Sequence, residues 1–113
     1  MNSEIKSILS NLTVDEKSIP TAHLRYKGGS KTFVTWTIIN ESPALSANDE
    51  DLFSVVRLDI DVFSDGNYSS IVKEIKKRFK ANEWLWVEDS SEMFEEDTEL
   101  YHRTITFEKE RSL

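Results

Sequence analysis

Between Phe53 and Asn82 the spacing of apolar residues changes from two to about 3.6 across one turn. Val56, Leu58, Ile60 and Val62 alternate with Arg57, Asp59 and Asp61, which predicts a strand with one buried and one wet face. Ser64-Asp65-Gly66-Asn67 follows, a cluster of turn and cap formers. Tyr68, Ile71, Val72, Ile75 and Phe79 then recur at helical spacing, with Asn82 placed to cap the helix C-terminus. A strand feeding an amphipathic helix that folds back on the same sheet sets the architecture.

The flanking segments extend it. Ser3 is placed to cap a first helix carrying Ile5, Ile8, Leu9 and Leu12 on one stripe; the helix is short and must gain stability by packing. Ala22, Leu24 and Tyr26 alternate with His23, Arg25 and Lys27, and Val34, Trp36 and Ile38 alternate with Thr35 and Thr37. A Gly28-Gly29-Ser30 turn between them predicts an antiparallel hairpin with Leu24 opposite Val34 and Ala22 opposite Trp36. Residues 40–51 are polar, contain Pro43 and have no period, which predicts a long mobile connection. Trp84-Leu85-Trp86-Val87 reads as a short strand, with the two tryptophans to one side. Residues 88–99 read as a second mobile loop rich in acids. A last strand over 100–108 places Tyr101, Arg103, Ile105 and Phe107 on one face and His102, Thr104 and Thr106 on the other, before a charged tail.

The expected order is α-β-β-β-α-β-β in one domain, residues 1–113. It predicts a two-layer α+β sandwich: a mostly antiparallel sheet of about four to five strands with both helices on one face. The opposite face, with Arg57, Asp59, Asp61, Thr35 and Thr37, meets water or another subunit.

Composition narrows the function. With 38% hydrophobic and 31% charged residues the chain has the make-up of a soluble globular domain. No apolar run approaches the roughly 20 residues that span a bilayer, and the first residues lack the charged leader and apolar block of a signal peptide. The absence of cysteine excludes disulfides, thiolate nucleophiles and zinc–thiolate sites. A net charge of -7 opposes general nucleic-acid binding, because the overall field repels phosphate.

No catalytic constellation stands out, and an enzyme is not expected. His23 and His102 fall on outward strand positions, and neither a nucleophile elbow nor a phosphate-binding glycine loop is present. Asp59 and Asp61, two apart on one face, have the spacing to hold a divalent cation, but charged residues alternating with core residues are the ordinary wet side of a sheet. No metal or cofactor is expected. Charge patterning suggests contact surfaces instead. Lys73, Lys77 and Lys80, joined by Lys76, form a basic stripe on the second helix, while Glu92, Glu95, Glu96 and Asp97 lie in the acidic loop. The ordinary reading is two solvated surfaces. The sharper one is complementarity between copies, and a contact between two different patches closes into a ring when the rotation allows.

The chain resembles the tail terminator, or tail-to-head joining, proteins of long-tailed bacteriophages and prophages. The resemblance spans most of the chain. It lies in Ile19-Pro20-Thr21-Ala22 leading to Tyr26-Lys27-Gly28-Gly29, in Phe33-Val34-Thr35-Trp36, and in Val62-Phe63-Ser64-Asp65-Gly66-Asn67-Tyr68 ahead of Ile71-Val72-Lys73-Glu74-Ile75-Lys76. The late Tyr101-His102-Arg103-Thr104-Ile105-Thr106-Phe107 strand also fits, and Trp36 stands where a tyrosine is expected. The resemblance implies an α+β sandwich that assembles as a six-fold ring, caps the tail tube, stops further tube subunits adding and presents a docking surface to the head connector. It implies residence in the virion neck after synthesis in the host cytoplasm, with genome DNA passing through the ring. Residues 40–51 and 88–99 are then the expected contact segments. Two other readings follow from the residues alone. One is a small cytoplasmic binding or adaptor module acting as a dimer. The other is a single-stranded nucleic-acid binder, which needs aromatics on a basic open face, whereas the inferred open face bears acids and threonines.

Overall fold

The computed structural model describes residues 2–43 and 53–112. Two helices pack on one face of a mixed six-stranded sheet, so the fold is α+β. Helix α1 (Asn2–Ile8) buries Ile5 and Ile8, and the turn after it buries Leu9 and Leu12, so the whole predicted stripe faces the core. Ser3 lies inside this helix rather than at its cap. A two-stranded ribbon follows, β1 (Thr13–Val14) and β2 (Lys17–Ser18). Its two-residue turn uses Asp15 and Glu16 at φ 51° and 65°, the geometry usually given to Asn-Gly.

The main sheet runs β3 (Thr21–His23), β4 (Phe33–Pro43), β5 (Phe53–Ser64), β8 (Leu100–Ser112), β6 (Leu85–Asp89), with β7 (Met93–Glu95) also paired to β8. Helix α2 (Ser69–Ala81) connects β5 to β6. Strand β5 alternates strictly, burying Val56, Leu58, Ile60 and Val62 against Ile71, Ile75 and Phe79 of α2. Trp36, Ile105 and Phe107 extend the same core onto β4 and β8, and Phe107 stacks on Phe79 at 4.8 Å.

The C-terminal end of α2 shows how local sequence aims the next strand. Glu83 sits at φ 68°; its N–H donates to Lys80 O, and Trp84 N–H donates to Phe79 O. This closing motif normally places glycine at the left-handed position. Here the edge-to-face contact of Trp84 with Phe79 (5.9 Å) supplies the apolar clasp that accompanies it.

Four expectations are corrected. The segment after Pro20 does not form an antiparallel hairpin. Strand β3 runs parallel to β4 with Thr21, Ala22 and His23 opposite Val34, Thr35 and Trp36. Leu24 turns to φ 66°, which ends the strand, and residues 24–32 loop back to start β4 in the same direction. The changed phase puts His23 on the helix side, its ring stacked 4.2 Å from Trp36. Residues 40–43, assigned to a mobile connection, continue β4 beyond a bulge at Ile38/Asn40, because β5 offers them a long partner; residues 44–51 of that connection lie outside the described residues. The acidic segment 88–99 is not one loop either: Glu88 and Asp89 belong to β6, and Met93–Glu95 form β7 against β8. The charged tail is the end of β8, in register with β5 as far as Phe53↔Ser112.

Candidate functional site

Cross-strand rows on the face opposite the helices follow directly from the β4–β5–β8 register. At one end lies an aromatic row: Tyr26 on Phe33 (4.4 Å), Phe33 on Phe63 (4.7 Å) and Phe63 on His102 (4.2 Å). The next rows pair acids with hydroxyls. Thr104 Oγ1 donates to Asp61 Oδ1 at 2.6 Å, and Thr106 Oγ1 donates to Asp59 Oδ1 at 2.7 Å. His102 Nε2 also lies 2.9 Å from Asp61 Oδ1, and its Nδ1 lies 3.5 Å from Glu95 Oε1. Further along, Arg57 reaches Glu88 (3.3 Å) and Glu108 (3.4 Å). Burial raises the Asp59 carboxyl above its ordinary value; the Thr106 hydroxyl opposes this and the Asp61 charge adds to it. This face is therefore a braced surface, with its acids engaged by neighbouring strands. Among the described residues, no group of three or more His, Asp or Glu is placed to hold a metal ion. No helix among them is long and apolar enough to cross a membrane.

The basic helix and the acidic segment touch at one point, where α2 packs beside β6. Lys73, Lys77 and Lys80 are exposed on α2, but Lys76 turns onto the sheet, pairing with Asp89 (2.9 Å) and lying 4.3 Å from the Trp86 ring centroid. Basic helix and acidic segment thus already meet within one copy. Glu92 accepts a hydrogen bond from Tyr68, whose hydroxyl is pushed up to about 12 by burial and by that carboxylate. Glu95 faces His102, and Glu96 and Asp97 are exposed on the turn after β7. The two tryptophans share a side as expected and divide in role: Trp84 is core, and Trp86 is 51% exposed.

Sequence patterning, which expects one of the pairs Trp84/Trp86 and Leu85/Val87 to be exposed, did not identify Met93, Phe94, Leu24 or Ile39 as exposed apolar residues at the sheet edges. Along the β6 and β7 edge lie Leu85, Trp86, Val87, Met93 and Phe94, all exposed. At the opposite edge lie Leu24, 61% exposed, and Ile39, on a β4 that β3 covers only from Val34 to Trp36. Unpaired strand edges with apolar side chains are templates for association. The available signal was Met93-Phe94, two apolar residues inside an acidic run. None of the known protein-family models matches this chain, and no curated protein does.

Proposed function

We propose that the protein is a structural subunit of a bacteriophage or prophage tail, one member of a ring that closes the tail tube and receives the head connector. The observation that carries this reading is the difference between the two sheet edges. Among the described residues both are open and both expose apolar side chains, yet they differ in strand length, direction and chemistry. Two unlike sticky edges on opposite sides of one subunit favour head-to-tail contact, and such contacts form rings when the rotation closes. The resemblance to tail terminators supplies the setting: six copies, a tube protein below, a connector protein above, and a place in the virion neck. The net charge of -7 suits a conduit for the genome, since carboxylates repel the phosphate backbone and DNA passes without binding. The braced outer face suits a part that works by shape, with no chemical step asked of it.

Deleting the gene from an inducible phage or prophage tests this. Tubes of irregular length and heads without tails are expected by electron microscopy, with rescue from a plasmid copy. Quantitative mass spectrometry of purified particles should find about six copies per tail. Normal particles from the deletion, or particles lacking the protein, refute the proposal; a two-fold dimer in solution with no place in the particle supports the adaptor reading instead.

A further inference from the structure

Resting on the ring reading, we infer that each copy seats the loop between β3 and β4, led by Leu24, in an acidic hollow at the opposite sheet edge of the next copy. The hollow, about 500 Å³, lies where β5, β6 and β8 end together. Phe53, Val55 and Leu85 form its apolar part, with Leu85 67% exposed, and Glu83, Glu108 and Glu110 supply its charge. The one cation among its described lining residues, Lys109, is committed elsewhere: Nζ donates to Glu4 Oε1 (2.6 Å) and to Asn82 O (3.0 Å). Glu108 is partly balanced by Arg57, while Glu83 and Glu110 have no ion-pair partner among the described residues. The hollow therefore combines an apolar floor with uncompensated negative charge.

The complementary surface lies on the same chain at the other edge. Leu24 projects at the end of β3, followed by exposed Arg25, Lys27 and Lys31, none of them in an ion pair among the described residues. The loop is held in shape before any contact is made. Tyr26 packs on Phe33, and its hydroxyl accepts the Ser30 N–H at 3.0 Å. Gly28 lies directly under that ring, where an added Cβ would stand 2.1 Å from the Tyr26 oxygen. A preformed loop loses little entropy on docking. Its positive charge and apolar tip match the hollow in both sign and character. Since β3 and β6 bound opposite edges, each contact leaves one loop and one hollow unused, so addition continues in one direction until the ring closes.

The cysteine-free chain makes the test clean. A Leu24→Cys/Leu85→Cys double variant, treated with a short bis-maleimide, should give a covalent ladder ending in a closed ring. Either single variant should give none, and the two singles mixed should stop at a dimer. Arg25→Glu/Lys27→Glu should weaken association about tenfold, and Glu83→Lys/Glu110→Lys in the partner copy should restore it. Self-cross-linking of Leu85→Cys alone identifies a two-fold edge contact and overturns the inference. Oligomers that form without the ladder overturn this contact and leave the ring reading standing. If wild-type protein associates neither with itself nor with tail tubes, both fall.

Discussion

Arg78 is the residue by which one helix holds the other, and replacing it is the sharpest test of how this fold is held together. Helix α1 has only seven residues, too few to persist alone in water. Its last carbonyl and two in the turn after it are received by the Arg78 guanidinium, which donates from Nη1 to Ile8 O (3.0 Å) and Ser10 O (2.9 Å) and from Nη2 to Asn11 O (3.4 Å). Nε meanwhile bonds Glu74 at 2.9 Å, fixing the fork. The side chain is 25% exposed, so these bonds are partly shielded from water. Hydrogen bonds to charged groups contribute about 1.5–3 kcal/mol each when well formed. Two are short here, the third is long, and the Ser10 end is wet enough for water to replace part of the loss. Arg78→Met keeps the apolar stem and removes the fork; the expected cost is about 2 kcal/mol, or roughly 10 °C in Tm for a domain of this size. Arg78→Lys should recover about half, because a single ammonium cannot span three carbonyls. Urea unfolding followed by the fluorescence of buried Trp36 and Trp84 measures both, with an unchanged m-value as the control. A loss under about 0.5 kcal/mol, or full recovery by lysine, refutes the capping argument.

Two further outcomes follow from local chemistry. Burial raises the Asp59 carboxyl above 3.8, so ionising it costs the folded state more than the unfolded one. That penalty is absent below 3.8 and fully present once the pH exceeds the raised folded value; Asp59→Asn should therefore stabilise the protein at pH 7 and lose its advantage as the pH falls towards 3.8, as denaturation midpoints at several pH values will show. Glu83 occupies a left-handed position at the end of α2, so Glu83→Gly should raise stability by about 0.5–1 kcal/mol in thermal melts, and a loss would show that its side chain stabilises the fold.

The face opposite the helices was legible in part. Alternation along β5 placed Asp59 and Asp61 there, and alternation along β8 placed Thr104 and Thr106 there. That these acids and hydroxyls become partners depends on β5 and β8 lying side by side, although helix α2, β6 and β7 separate them in the chain. The β3 segment was misread because three alternating residues fit either strand direction. The left-handed turn at Leu24 decides the matter, and leucine carries no signal for it. Strand β7 was missed because three residues among acids have no measurable period; pairing with Leu100, Tyr101 and His102 creates it. The runs of charge were legible as runs, but that Lys76 would leave the stripe to meet Asp89 within one copy was not, because that contact follows from the path of the chain.

Periodicity alone was enough for the α+β class, the buried stripe of each helix and the two faces of β5. Those are local properties, written in spacings of two and 3.6 that each segment expresses wherever it lies. The tertiary structure alone decided which strands became edges, which acids lost their water to a neighbouring hydroxyl, and which apolar side chains were left uncovered on opposite sides. Those outcomes depend on the order of strands in space, and a strand's own residues do not encode who its neighbours will be.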